Sequence, residues 1–214
     1  ACFGCAGPVE NGRCATMNLT WVVDQRALAE SLGIPHVRVI NDLEAIAYGV
    51  SCLGTEHIEI LNPGAPGATG HAVIVAPGTG LGEAGMYWDG QQYHPIATEG
   101  GHADFAPRNE LEMELLRFLL KEFDHVSYER VVSGPGLHNI YRFLRDTQRG
   151  EEPSWLADEL EQGDPAAVIS QAALANRSPL CGQALDLFIQ LFGAEAGNMA
   201  MNYMARGGVW LGGG

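Results

Sequence analysis

The fold is decided by residues 71–88, which read HAVIVAPGTGLGEAGMYW. Residues 71–76 predict a strand, and the closely spaced glycines after it predict a turn. Residues 80–85 match the pattern GxGxxG, but a dinucleotide-binding site requires a helix directly after these glycines. The residues that follow, through the hairpin signal Asp89-Gly90, instead predict a strand and its return. The stretch therefore favours a strand–turn–strand unit over a dinucleotide-binding fold.

The glycine turn has the chemistry of a phosphate site. Gly78 and Gly80 leave backbone N–H groups uncovered, and Thr79 adds a hydroxyl donor beside them. No Gly-Lys-Ser/Thr sequence follows, which excludes a P-loop. Gly212 and Gly213 follow another apolar run and predict a second place where the backbone approaches a ligand closely. The alternative for the first turn is a plain glycine-rich hairpin.

The flanking sequence predicts alternating strands and helices. Ahead of the glycine turn we predict strands at 1–9 and 14–23 around an Asn11-Gly12 hairpin turn, a helix from Asp24 to Gly33, a strand at 36–40 and a helix at 43–53. After it we predict helices at 109–123, 133–145, from 164 onward and at 181–205, whereas the acidic stretch 150–163 carries no predicted element. This order predicts an α/β fold.

The composition describes a folded, acidic protein. Of 214 residues, 46% are hydrophobic and 18% charged, which supports a sizeable core and excludes a disordered chain. The 26 acidic and 12 basic residues give a formal net charge of −14, which disfavours nucleic acid as a partner, since such binders need a basic surface. The most apolar stretch, 184–205, contains Asp186 and Glu195 and predicts a buried helix rather than a membrane span.

The cysteines give no sign of a disulfide framework or a metal site. They number five and include no CxxC pair and no Cys/His cluster. We therefore expect reduced thiols in a cytoplasmic protein, with no protein-bound metal.

Polar side chains at the predicted junctions suit a polyhydroxyl ligand. Asn41 and Asp42 stand where a strand meets a helix; the Asp42 carboxylate either accepts a proton from a hydroxyl there or simply caps the helix. Glu99 and His102 flank two glycines, which is typical either of a turn that binds a ligand or of an ordinary polar turn. Glu129 by itself suggests a surface residue. Together with the phosphate turn, this set favours phosphoryl transfer to a sugar.

Five motifs in one order give these residues a family context. They are Ile40-Asn41-Asp42, Ala76–Gly82, Glu99–Pro107, Glu129–Leu137 and Gly207–Gly213. The set resembles the bacterial ATP-dependent glucokinases of the hexokinase–actin superfamily. The resemblance covers nearly the whole chain, including Thr16–Trp21.

The resemblance implies a fold and a set of roles. The fold is a two-domain sugar kinase of ribonuclease-H-like (actin-like ATPase) α/β architecture, with residues 1–52 in the small domain and 53–214 in the large one. Asp42 resembles the base that takes the proton from the glucose 6-hydroxyl as it attacks ATP. The positions that match glucose-binding residues are Asn41, Asp42, Glu99, His102 and Glu129. Those that match nucleotide-binding residues are Gly78, Thr79, Gly80, Gly212 and Gly213.

The resemblance also implies the substrates and partners. The reaction would convert glucose and ATP into glucose 6-phosphate and ADP at the entry to glycolysis. Mg²⁺ would arrive as part of the ATP complex. The family is usually a cytoplasmic homodimer, which leads us to expect no membrane association.

The two ends of the chain suggest a piece of a longer protein. The sequence opens on Ala1 inside an apolar run and closes on glycines directly after a strand. The first phosphate loop of the family, Asp-x-Gly-Gly-Thr, and the helix after its adenosine glycines are absent from the 214 residues. We therefore expect an internal fragment that is inactive as a kinase by itself.

Three alternatives to the glucokinase interpretation are disfavoured by the sequence. A sister family of sugar kinases and repressors carries a Cys-x-Cys-Gly-x-x-Gly-Cys zinc motif, and residues 99–135 contain no Cys. A non-catalytic sugar-binding or regulatory protein on the same fold would have no need of Asp42. An actin-like or chaperone ATPase would have no use for Glu99, His102 and Glu129.

Overall fold

The computed structural model describes residues 1–15 and 20–213. Residues 16–19 of the predicted motif Thr16–Trp21 lie outside the described residues. The chain forms two compact units. Unit 1 comprises Ala1–Ile74, Glu83–Thr98 and Asn202–Trp210, and unit 2 comprises Val75–Gly82, Glu99–Met201 and Leu211–Gly214.

The elements follow the alternation predicted from the sequence. The strands are β1 (Cys2–Cys5), β2 (Val9–Glu10), β3 (Arg13–Ala15), β4 (Val22–Asp24), β5 (Arg38–Asn41), β6 (Ala72–Pro77), β7 (Leu81–Trp88), β8 (Tyr93–Ala97) and β9 (Gly208–Leu211). The helices are α1 (Gln25–Leu32), α2 (Asp42–Val50), α3 (Glu110–Leu119), α4 (Gly134–Asp146), α5 (Ser154–Gln162), α6 (Pro165–Leu174) and α7 (Pro179–Asn202). Single 3-10 turns occupy Thr55–His57, Gly100–His102 and Tyr128–Arg130.

Unit 1 opens with a hairpin and a parallel strand pair. Asn11 and Gly12 adopt φ angles of 52° and 75°, as the predicted tight turn requires, and they join β2 to β3. The predicted strand 14–23 is wrong. Its two ends belong to two separate strands, β3 and β4, which pair antiparallel with Cys14 opposite Val23. β1 pairs in parallel with β5.

The start of α2 differs from the alternative in which Asp42 caps the helix. The N-cap is Asn41 and not Asp42, because the Asn41 Oδ1 accepts hydrogen bonds from the N–H groups of Leu43 (2.9 Å) and Glu44 (3.2 Å). Asp42 is instead the first helical residue, where a carboxylate interacts favourably with the helix dipole. The helix ends at Val50 rather than near residue 53.

The larger sheet has the strand order β8-β7-β6-β9. β7 and β8 pair antiparallel with Tyr87 opposite His94, which confirms the hairpin predicted at Asp89-Gly90. The Asp89 Oδ1 accepts from the backbone N–H groups of Gln91 (2.7 Å) and Gln92 (2.9 Å) and so closes the turn.

Unit 2 is built mainly from the helices α3–α7. Its core contains fully buried side chains from each of them, namely Leu115, Leu119, Ile140, Phe143, Leu156, Ile169, Leu180 and Leu191. Helix α5 was missed in the acidic stretch 150–163, where Leu156 alone is buried among charged neighbours. In the part of the chain that the structure describes, no helix has both the length and the hydropathy needed to cross a bilayer.

Candidate functional site

The glycine turn of unit 2 links β6 to β7 and has the predicted form. Gly78 N donates to the Gly80 carbonyl oxygen at 2.8 Å, which closes the turn. Gly134 N, at the start of α4, donates to the Gly78 carbonyl oxygen at 2.8 Å. A strand and not a helix follows the glycines, as the sequence predicted.

A carboxylate lies directly over this turn. The Glu129 Oε2 accepts a hydrogen bond from Leu81 N at 3.0 Å, across 48 residues of sequence. A Cβ atom at Gly80 would lie 2.5 Å from the same oxygen. Any residue other than glycine would therefore displace the Glu129 carboxylate from this position. The Glu129 side chain is 26% exposed and is therefore held in place yet open to a ligand.

Glu129 forms a cluster with two other predicted residues. The His102 Nδ1 lies 4.0 Å from the Glu129 Oε1, and the His102 Nε2 lies 4.0 Å from the Glu99 Oε2. The side chains of His102 and Glu99 are about half exposed, at 47% and 55%. Two carboxylates around an imidazole offer several acceptors and one switchable donor, the array that neighbouring hydroxyls of a neutral ligand require.

Close backbone packing fixes the 3-10 turn that carries His102. His102 N donates to the Glu99 carbonyl oxygen at 3.0 Å. Gly101 is buried between them, and a Cβ there would collide with the carbonyl oxygen of Leu81. The glycine between Glu99 and His102 thus lets this turn rest against the start of β7.

A cavity of about 1010 Å³ opens beside the glycine turn within unit 2. Its lining includes Gly78, Thr79 and the first residues of α4 and α6, together with the apolar side chains of Leu185, Phe188 and Phe192 on α7. Ser133 caps α4: its Oγ accepts from Gly136 N at 3.0 Å and donates to the Glu129 carbonyl oxygen at 2.7 Å. The positive end of the α4 dipole thus borders the same cavity as the glycine turn, an environment that favours phosphate.

The second predicted glycine pair also lines this cavity. Gly212 N donates to the Val75 carbonyl oxygen at 3.1 Å, which extends β9 beside β6. Gly213 has a φ angle of +116°, and a Cβ there would collide with the Pro77 carbonyl oxygen. Both the conformation and the space at this position therefore require glycine.

Several cavity residues were not predicted from the sequence. Phe188 and Phe192 lie four residues apart on α7, within the stretch 184–205 that the sequence predicts as a buried helix. Burial, followed by the nearby Arg142 and Arg145, lowers the pKa of His138, which favours its neutral form. The apolar wall and a neutral imidazole suit a flat heteroaromatic group.

The remaining predicted site residues belong to unit 1. Asn41 is buried at the end of β5, where its Nδ2 donates to the Gly7 carbonyl oxygen at 3.2 Å. Asp42 is half-buried, and its Oδ1 accepts from Leu43 N at 3.0 Å. Both residues stand at the predicted strand–helix junction. In unit 2 the structure brings the other three polar residues and the glycine turn together.

The described residues contain no group of three or more His, Cys, Asp or Glu side chains arranged to hold a metal ion.

Comparison with known proteins gives a consistent result. A family model described as Glucokinase matches residues 1–214. The glucokinase of Nostoc punctiforme is 43% identical over 227 residues, which cover all of this chain and 67% of that protein. The crystal structure of a glucokinase from an Antarctic psychrotroph has 30% identity and a TM-score of 0.80 over all of this chain and 63% of its own.

A more distant structure shares the fold alone. It is a ROK family glucokinase from Streptomyces griseus in complex with glucose and AMPPNP, with 22% identity and a TM-score of 0.66 over 99% of this chain and 64% of its own. These likenesses confirm the predicted fold class. The chain spans about two thirds of the length of the curated relatives it matches.

Proposed function

The chain belongs to the glucokinase family, and from that premise we propose that the full-length protein transfers the γ-phosphate of ATP to the 6-hydroxyl of glucose. The observation that carries the proposal is the double contact of Glu129. One of its oxygens accepts from the amide of the glycine turn, and the other faces His102. A residue suited to sugar hydroxyls therefore also holds the turn suited to phosphate.

The polar residues would have two roles toward the sugar, hydroxyl binding and proton abstraction. Glu99, His102 and Glu129 would hydrogen-bond its hydroxyls, as their cluster of acceptors and one donor allows. Asn41 and Asp42 are proposed to bind hydroxyls of the sugar as well. Asp42 would take the proton from the attacking 6-hydroxyl. The remaining residues would orient the sugar, because phosphoryl transfer depends mainly on positioning and charge stabilisation.

The cavity is proposed as the ATP site. The glycine turn at Gly78–Gly80 and the start of α4 would hold the phosphates, and Gly212 and Gly213 would lie along the adenosine. The apolar side chains of α7 would cover the base. Mg²⁺ supplies charge neutralisation on the phosphates when it is bound with ATP.

The setting of the protein is also part of the proposal. We propose residues 1–52 as part of a small domain and 53–214 as part of a large one. The full-length protein would be a cytoplasmic homodimer whose ligands are glucose and ATP, without a nucleic-acid or membrane partner.

A coupled assay of the full-length protein tests the activity. Glucose 6-phosphate should form only when glucose, ATP and Mg²⁺ are all present. Glucose binding without turnover would instead favour a regulatory sugar-binding protein. ATP hydrolysis without glucose binding would favour an actin-like ATPase.

Truncation of the hydroxyl-binding residues should weaken sugar binding selectively. We expect Glu99→Ala and His102→Ala each to cost roughly 1–3 kcal/mol of glucose binding, because hydroxyl partners are left unpaired. ATP affinity should change little, and calorimetry with each ligand measures both. His94→Ala is the matched control, since His94 pairs with Asp89 at 2.7 Å on a hairpin of unit 1. Equal losses for both ligands would mean that the pair is structural.

Substitution of Gly213 should affect the nucleotide. In Gly213→Ala the new Cβ meets the Pro77 carbonyl oxygen at a φ angle of +116°, which costs on the order of 1–3 kcal/mol. We expect the KM for ATP to rise about tenfold with the KM for glucose unchanged. Gly193→Ala on α7 is the control, because a Cβ there meets nothing within 4 Å. An unchanged KM for ATP would exclude Gly213 from the nucleotide site.

A further inference from the structure

Tyr128, Glu195 and Asn198 form a hydrogen-bonded group that has no role in the proposed reaction. Tyr128 and Glu195 are only 3% and 5% exposed. The Asn198 Nδ2 donates both to the Tyr128 hydroxyl at 3.1 Å and to the Glu195 Oε2 at 2.9 Å. Asn198 of α7 thus donates to the hydroxyl of the tyrosine that directly precedes Glu129, and Glu195 of the same helix accepts from Asn198.

Burial of the Glu195 carboxylate lowers the stability of the protein, which suggests that this carboxylate has a function. A buried charge destabilises a protein unless hydrogen bonds compensate it, and an apolar side chain at residue 195 would avoid that cost. Burial and the nearby Glu195 charge raise the pKa of Tyr128, so its hydroxyl keeps its proton throughout the physiological range. The group is therefore a fixed polar anchor in an otherwise apolar region of α7.

Tyr128 is tied to the segment that carries His102. Tyr128 N donates to the Ala103 carbonyl oxygen at 3.0 Å, and Phe105 N donates to the Val126 carbonyl oxygen at 2.9 Å. The rings of Phe105 and Tyr128 pack edge to face with their centroids 5.6 Å apart. A shift of Tyr128 would therefore move the residues that directly follow His102.

Tyr128 is equally tied to Glu129, its neighbour in the same 3-10 turn. The carbonyl oxygen of Glu129 accepts from Ser133, and its carboxylate accepts from Leu81 N. These bonds fix Glu129 on the side of the glycine turn. The bond from Asn198 fixes the other side of the 3-10 turn on α7.

We propose that Tyr128, held by Asn198, which Glu195 in turn holds, is a positioning residue that sets both Glu129 and the His102 segment for the sugar. This inference rests on the proposed function, since it concerns the same sugar site. It adds three residues that touch neither substrate and that act through the geometry of the cluster.

The kinetic test is Tyr128→Phe in the full-length protein, which removes the hydroxyl and keeps the ring. We expect the KM for glucose to rise about tenfold and the KM for ATP to stay within twofold. Asn198→Ala should give the same pattern, because it breaks the same bond from α7. Values for glucose within twofold of the wild type in both variants would overturn the proposal.

Tyr141→Phe is the matched control for a merely structural effect. Tyr141 is a fully buried tyrosine of the same unit, and its hydroxyl donates to the Glu152 carboxylate, away from the sugar cluster. We expect it to lower the melting temperature as Tyr128→Phe does, with no change in either KM. A rise in the glucose KM equal to that of Tyr128→Phe would mean that general loosening of unit 2 explains both.

Hydrogen exchange separates this inference from the proposed function. In Tyr128→Phe the backbone amides of residues 99–107 should exchange at least threefold faster than in the wild type, and in Tyr141→Phe they should not. Hydrogen exchange needs no catalysis, so it tests the positioning role of Tyr128 even if the wild-type protein fails to phosphorylate glucose. Unchanged exchange in residues 99–107 would overturn the proposal.

Discussion

Asp42→Asn is expected to lower the turnover number for glucose at least ~10²-fold, the usual contribution of a general base. Asn keeps the size of the side chain and its acceptor oxygen, so the bond that Asp42 makes with Leu43 N is preserved. Glucose affinity should therefore stay within about twofold of the wild type. Steady-state kinetics combined with calorimetry on the full-length protein measures both quantities.

Asp24→Asn is the control for this substitution. Asp24 also stands at the start of a helix of unit 1, where its Oδ1 accepts from Arg26 N at 2.8 Å. Asn serves as an N-cap about as well as Asp, so the fold and the turnover number should be unchanged. An Asp42→Asn enzyme that turns over within a few-fold of the wild type would remove Asp42 from the role of base.

Glu129→Ala is expected to raise the KM for glucose by about 10² or more. It removes the charged acceptor that we propose for a sugar hydroxyl, and such a bond is worth about 1.5–3 kcal/mol. It also leaves the amide of Leu81 without its acceptor, which costs a further ~1–3 kcal/mol where that amide is shielded from water. Because the amide belongs to the glycine turn, the KM for ATP should rise as well, by a smaller factor.

Glu159→Ala provides the comparison for Glu129→Ala. Glu159 is a half-exposed glutamate of α5 in unit 2, and it forms an ion pair with Arg177 at 2.7 Å. Exposed ion pairs of this kind contribute little to stability. Its removal should leave both KM values unchanged. If Glu129→Ala behaves like Glu159→Ala, the carboxylate binds neither the sugar nor the turn in solution.

Local chemistry made much of the fold predictable. The turn at Asn11-Gly12 needs positive φ angles, and the strand–turn–strand unit follows from glycines set between apolar runs. The cap of α1 by Asp24 and its end at Gly33 follow from short-range hydrogen bonds. These features depend on neighbours within a few residues, which are visible in any sequence.

Features that depend on distant contacts were not predictable in the same way. Glu129 alone suggested a surface residue, because nothing in the sequence places it against Leu81, 48 residues away. Phe188 and Phe192 have the spacing of core residues, and only the packing of α7 leaves them facing a cavity. Helix α5 escaped prediction because one buried residue, Leu156, anchors it.

The bond between Glu129 and Leu81 N restricts how the sugar preference of such a protein can evolve. A substitution at Glu129 that suits a different hydroxyl pattern also releases the glycine turn. Glu99 and His102 are half exposed, so changes there disturb less of the surrounding structure. Natural variation and laboratory selection for other hexoses should therefore accumulate at Glu99 and His102, while Glu129 stays unchanged.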